Sequence, residues 1–144
     1  MVFRLTRSMT LGVRALVVRD GPVGREVFLV RHTYVRGWFL PGGGVERGET
    51  VREALEKELR EEGNIKLTGE PELVACMANR SATLRDHVCY FIVRHSEQTQ
   101  PFPGDREIAE GRWFALDALP DGTTRATRAR IDEFLAGGSP PEYW

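Results

Sequence analysis

The sequence predicts an α/β fold: a mixed β-sheet with helices covering its faces. Short Val- and Leu-rich runs bounded by turn residues lie on both sides of one helical stretch, residues 50–62. That stretch carries start and stop signals at its two ends, and a second helical pattern with one apolar face follows near residue 125. Strands flanking a helix, with another helix after them, bury their apolar faces best as layers.

The elements follow in order. LGVRALVV, Leu11 to Val18, reads as a strand, DGPVG as a turn, and VFLVRH, Val27 to His32, as its hairpin partner. A short extended piece at Trp38 to Leu40 leads into three consecutive glycines, read as a loop, and then the helix. ELVACMANR, Glu72 to Arg80, and HVCYFIVRH, His87 to His95, read as strands paired across the polar turn SATLRD. After the loop TQPFPGD comes a short strand around Arg112 to Ala115. The final helix packs by Ala126, Ala129, Ile131, Phe134 and Leu135, and Gly137 and Gly138 end it.

With 144 residues the chain is expected to form one domain, 1–144, around a single sizeable core. Twenty basic against twenty-one acidic side chains leave a net charge of -1, which gives no global pull toward nucleic acid or an acidic membrane surface. The opening MVFRLTRSMT lacks an apolar core with a small-residue cleavage site, and no run approaches the roughly 18 apolar residues of a membrane span. A cytoplasmic location is the resulting expectation. Cys76 and Cys89 lie in apolar runs and read as two buried thiols, with a disulfide as the lesser reading, and His32, His87 and His95 lack zinc-site spacing.

The first helix holds the chemistry. Thr50 and Glu53 have the spacing of a capping box, and Gly63 and Asn64 both tolerate the left-handed conformation that ends helices. Residues set about 100° apart place Val51, Ala54, Leu55 and Leu59 on one stripe, with Glu58, Glu61 and Glu62 beside it. Glu53 with Lys57 and Glu56 with Arg60 form i,i+4 pairs on the outer face, where the ordinary reading is a solvated surface. Three carboxylates beside a core stripe repel one another and resist desolvation. A hard divalent cation, Mg²⁺ or Mn²⁺, removes that conflict. Gly42, Gly43 and Gly44 let backbone approach such a group closely.

These residues match a family. Gly43, five residues, Glu49, seven residues, then KELREEGNI, Lys57 to Ile65, resembles the Nudix box, Gly-x5-Glu-x7-Arg-Glu-U-x-Glu-Glu-x-Gly-U, with U a bulky aliphatic residue. GWFLPGG before it and GRWFALDALP after it extend the likeness over most of the chain. Lys57 stands in place of Arg, giving up a planar fork for a point charge that is expected to hold Glu49 less firmly. Asn64 stands in place of the closing Gly.

The resemblance implies a Nudix-type α/β/α sandwich that hydrolyses a nucleoside diphosphate linked to another moiety, with Mg²⁺ or Mn²⁺. By position it implies Glu58 and Glu62 as metal ligands, and Glu61 as a ligand or the base that deprotonates water. Glu58 and Glu61 are the candidate catalytic residues. Glu49 becomes a further ligand or a support, and Gly43 the donor of a backbone carbonyl to the metal. Glu46, Glu107 and Arg31 are weighed on the substrate side of the site, with solvent-exposed roles as the plain alternative. Glu46 could approach the metals, Glu107 is the extra acidic ligand or base that relatives place there, and Arg31 with His32 could contact phosphates. The expected partner is a small nucleotide-like diphosphate, with no membrane, no nucleic acid, and room for a homodimer. Two rivals are a Nudix-fold module that senses a nucleotide without turnover, and a capped-RNA hydrolase using Arg125, Arg128 and Arg130 as a basic track.

Overall fold

A computed structural model of the chain describes residues 8–144. The reading of residues 1–10 as carrying no targeting segment therefore falls mainly outside the described part. The strands are β1 (Thr10–Gly21), β2 (Gly24–His32), β3 (Trp38–Phe39), β4 (Gly42–Gly44), β5 (Ile65–Leu67), β6 (Glu72–Ala78), β7 (Asp86–Val93), β8 (Ser96–Gln98) and β9 (Ile108–Ala115). The helices are α1 (Val51–Gly63) and α2 (Arg125–Ala136). Among the described residues no helix is long and apolar enough to cross a membrane.

Seven strands form one mixed sheet in the order β3-β2-β1-β7-β6, with β9 added to β2 and β4 to β1. β1 is the hub. It pairs in parallel with β7 from Thr10↔Asp86 to Val17↔Val93, while its other edge is shared by β4 at Gly12 to Arg14 and β2 at Val18 to Gly21. The expected hairpins β1–β2 and β6–β7 are both present and antiparallel. β5 and β8 form a separate two-stranded ribbon.

Strand alternation sorts the core into two layers. Val13, Ala15, Val17, Phe28, Val30, Cys89, Phe91 and Val93 face Ala54, Leu55 and Leu59 of α1. Leu16, Val18, Val27, Leu29, Met77, Tyr90 and Ile92 face Ile131 of α2. The sheet is apolar on both sides, so it needs a helix on each, and the result is the α/β/α sandwich.

Five expectations are corrected. The glycine triplet is a strand and not a loop, because Gly42, Gly43 and Gly44 pair with Arg14, Val13 and Gly12. The inner face of α2 is Thr127, Arg130, Ile131 and Phe134; Leu135 is 57% exposed, since the helix starts at the Thr124 cap and its phase follows from there. Arg130 is buried, donating to Glu133 Oε2 at 2.6 Å and resting on Met77 Sδ at 3.1 Å, so it drops out of the basic track and only Arg125 and Arg128 of the three are exposed. Cys76 is exposed on the edge strand β6, whereas Cys89 is buried. The outer face of α1 also pairs differently: Arg52 bonds Glu56 and Glu70, and Lys57 turns back to Glu49 and Glu46, where two carboxylates outcompete the single one of Glu53.

Candidate active site

Local chemistry fixes the helix that carries the acidic residues. Thr50 Oγ1 accepts from Glu53 N–H at 3.0 Å, and Asn64, left-handed at φ 55°, closes the other end with its N–H on the Leu59 and Arg60 carbonyls. Packing Ala54, Leu55 and Leu59 against the sheet then sets the phase that turns Glu62 inward.

Glu62 is only 5% exposed, and its Oε1 accepts from Gly42 N–H at 2.7 Å. Glu58 is half-buried beside it. A methyl group on Gly42 would lie 2.0 Å from the Val13 carbonyl, so backbone holds that position to glycine, and one on Gly43 would lie 2.5 Å from Glu58 Oε1 and displace that carboxylate. Burial pushes Glu62 up to about 8, an effect that the Gly42 N–H and the charge of Arg14 only partly offset. Burial first, and the charge of Glu61 second, raise Glu58 as well. Glu62 thus keeps its proton at neutral pH in the cation-free protein and shares it with Glu58.

No three His, Cys, Asp or Glu side chains among the described residues converge into a ready-made metal trio. Glu58 and Glu62 make a pair, and Glu61 stands exposed where the cleft opens. Two or three carboxylate oxygens and a nearby backbone strand suit Mg²⁺ or Mn²⁺, which take hard oxygen ligands and retain several waters. The shared proton is what such a cation would replace.

A cleft of about 560 Å³ lies over the pair, with Gly42, Gly43, Glu58, Glu61 and Glu62 on one side and His32, Tyr34, Asp105, Arg106 and Glu107 on the other. A larger groove of about 820 Å³ lies elsewhere, against the outer face of α1 and the β5–β8 ribbon, and none of these carboxylates lines it. Chemistry, and not size, locates the site. The far wall is held by Thr33, whose N–H reaches the Glu107 carbonyl at 2.9 Å and whose hydroxyl reaches that of Arg106 at 2.7 Å. Asp105 Oδ1 accepts from the N–H groups of Glu107 and Ile108 and so shapes the loop.

His32 packs edge-on against Phe39 at 5.2 Å, and its buried Nδ1 has no hydrogen-bond partner among the described residues. Burial and then the Arg14 charge lower its pKa, so the imidazole is neutral at pH 7. Arg31, one residue earlier, points the other way. It pairs with Glu110 at 3.6 Å and lies outside the cleft. Glu46 is exposed and 3.7 Å from Lys57. Glu49 is also outside the cleft lining, anchored by Glu46 N–H at 2.8 Å and by Lys57. Its carboxyl sits below the usual range, chiefly through the Glu46 backbone bond and secondarily through Lys57.

The fold therefore gathers Gly43, Glu58, Glu61, Glu62 and Glu107, and leaves Glu46, Glu49 and Arg31 out. Sequence reasoning missed Arg14, Tyr34, Asp105 and Arg106. Arg14 carried a signal, being the single charge inside the apolar run LGVRALVV. It fixes the turn before β4 by donating to the Leu40 carbonyl at 2.8 Å.

The family model of the NUDIX domain matches residues 10–135. The chain belongs to the Nudix family. It is 34% identical over 131 residues to an RNA pyrophosphohydrolase of Sulfurovum sp., covering 78% of this chain and 83% of that one. The crystal structure of a MutT Nudix hydrolase from Burkholderia pseudomallei superposes with a TM-score of 0.69 at 26% identity, over 87% of this chain and 97% of the other. A solved UDP-X diphosphatase gives 0.65 at 28% identity, over 90% of this chain and 64% of its own length. The chain is accordingly a Nudix pyrophosphohydrolase.

Two positions of this Nudix box depart from the pattern, and geometry accommodates both. Lys57 Nζ lies 3.0 Å from one Glu49 oxygen and 3.2 Å from the other, so the ammonium reaches both despite lacking the fork of an arginine. Asn64 adopts the left-handed cap that a glycine would take, and its side chain adds a bond to the Pro101 carbonyl at 3.4 Å.

Proposed function

We propose that this Nudix hydrolase cleaves a pyrophosphate bond in a nucleoside diphosphate joined to a second group, and that it does so with Mg²⁺ or Mn²⁺. The observation that carries the reading is the Glu58–Glu62 pair, desolvated on the Gly42–Gly43 backbone at one side of an open cleft. Glu58 and Glu62 would hold the cation, with the Gly43 carbonyl beside them. Once bound, a divalent cation neutralises phosphate oxygens and acidifies a coordinated water.

The chain's own groups supply the rest. Glu61, exposed in the cleft, takes the proton of the attacking water; the water oxygen bonds to phosphorus as the bridging P–O bond breaks, and the leaving phosphate departs with the electron pair. Arg106 on the facing wall offsets charge on the phosphates, and neutral His32 offers a hydrogen bond without adding charge. Glu107 lines the same cleft and is the second candidate base.

The names of the relatives, an RNA pyrophosphohydrolase and a UDP-X diphosphatase, share this bond type and differ in what lies beyond it. The test is a panel of sugar nucleotides, ADP-ribose, nucleoside triphosphates, dinucleoside polyphosphates and a 5′-triphosphorylated oligoribonucleotide, each incubated with Mg²⁺ and with Mn²⁺. Phosphate or nucleotide release is read against Glu61→Gln. Metal-dependent turnover of at least one small nucleotide, reduced about 10²–10⁴-fold in the variant, is expected. Tight binding with no product above the variant would instead make the chain a sensor, and turnover of the RNA alone would move the substrate class to RNA ends.

A further inference from the structure

One row of residues crosses four strands, each the register partner of the next: Cys76 on β6, Cys89 on β7, Val13 on β1 and Gly43 on β4. The two sulfurs at its outer end are 3.9 Å apart. Cys89 belongs to the core under α1, whereas Cys76 is open to solvent. Directly opposed residues of antiparallel strands have Cα atoms about 4.5–5.5 Å apart, inside the span of about 4.4–6.8 Å that a disulfide bridges. Bringing the sulfurs to about 2.05 Å is then a matter of side-chain rotation.

We propose that Cys76 and Cys89 form a reversible intramolecular disulfide, with a low-molecular-weight disulfide such as oxidised glutathione as the oxidant. The Cys76 thiolate attacks one glutathione sulfur, forming a mixed disulfide and releasing one glutathione thiolate. Cys89 then gives up its proton and attacks the Cys76 sulfur, closing the protein disulfide and releasing the second glutathione. Two electrons pass from the protein thiols to the oxidant, which leaves as two thiols. The order follows from access and ionisation. Burial, reinforced by neighbouring Cys76, pushes the Cys89 thiol up to about 11, so the exposed sulfur reacts first and the buried one resolves.

The pair stands apart from the cleft, so its test does not depend on the substrate. The full chain is incubated with oxidised glutathione, quenched in acid, unfolded, treated with an alkylating reagent and weighed by intact-mass spectrometry. The expected product is a monomer that has lost two hydrogens and takes up no reagent, and dithiothreitol restores two alkylatable thiols. Cys89→Ala, chosen to keep the core apolar, should retain one glutathione on Cys76, and Cys76→Ser should remain unmodified. A native chain that keeps glutathione on Cys76 with Cys89 still alkylatable would overturn the proposal. So would a disulfide-linked dimer, or two thiols that both remain free.

Discussion

Glu62 is the residue at which stability and function pull apart. Its folded-state pKa, pushed up to about 8, lies above that of an unfolded glutamate, so the native state prefers the protonated form. The stabilisation linked to that proton is fully present below about pH 4.3 and is lost as pH rises through 8. Without divalent cation, the guanidinium midpoint of the wild type should therefore fall between about pH 5 and pH 8. Glu62→Gln, which keeps an acceptor for Gly42 N–H, should flatten that slope and gain about 2–4 kcal/mol at pH 8. Adding Mn²⁺ at pH 8 should raise the wild type and leave the variant unmoved. Parallel pH profiles for the two proteins would mean that Glu62 is an ordinary ionised carboxylate. The acidic side of the cleft was readable because three carboxylates beside a core stripe conflict on a helical wheel. The choice of His32 over Arg31 was not, because it depends on which face of β2 looks into the cleft and on the bulge where that strand meets β9.

β4 is the element that converts a helix with acidic residues into a site. Its glycines are not equivalent: a methyl group on Gly43 would strike the Glu58 carboxylate, whereas one on Gly44 would meet nothing within 4 Å. Gly43→Ala should lower Mn²⁺ affinity about 10–100-fold, the usual scale for disturbing a ligand's support, with little change in thermal midpoint. Gly44→Ala should match the wild type in both measurements, and equal affinities across all three proteins would remove the close contact from the account. The helix caps make the complementary prediction. Asn64→Ala keeps the left-handed conformation but removes the short polar side chain that eases it, together with the bond to the Pro101 carbonyl, and should cost about 1 kcal/mol in chemical denaturation. α1 was legible to its caps because its signals are local, within four residues of each end. β4, β5 and β8 were not, since three-residue strands carry too few side chains to alternate and exist only through partners distant in sequence.

At the scale of the molecule, the sheet separates a functional face from a supporting one. The two apolar faces were visible in the strand sequences, but their assembly rests on the parallel β1–β7 pairing and on β9 crossing back to β2, contacts that no local pattern encodes. The same crossing brings the loop of Asp105 to Glu107 over α1, which is why the far wall of the cleft was hardest to foresee. Phe28 links the sheet to the site. Its ring fills the space above both Gly63, at the end of α1, and Gly111 on β9, with Trp113 edge-on at 5.3 Å. It therefore sets the height of the helix turn that presents Glu61 and Glu62. Ile131 is equally buried but belongs to α2, on the opposite face of the sheet. Phe28→Leu and Ile131→Val should each destabilise the chain by about 0.5–1.5 kcal/mol in guanidinium titrations. Only Phe28→Leu should weaken Mn²⁺ binding, because only that cavity lets the acidic end of α1 settle out of register with β4. If both variants lost affinity in proportion to stability, the site would be sensing global loosening and the two faces would not be separable.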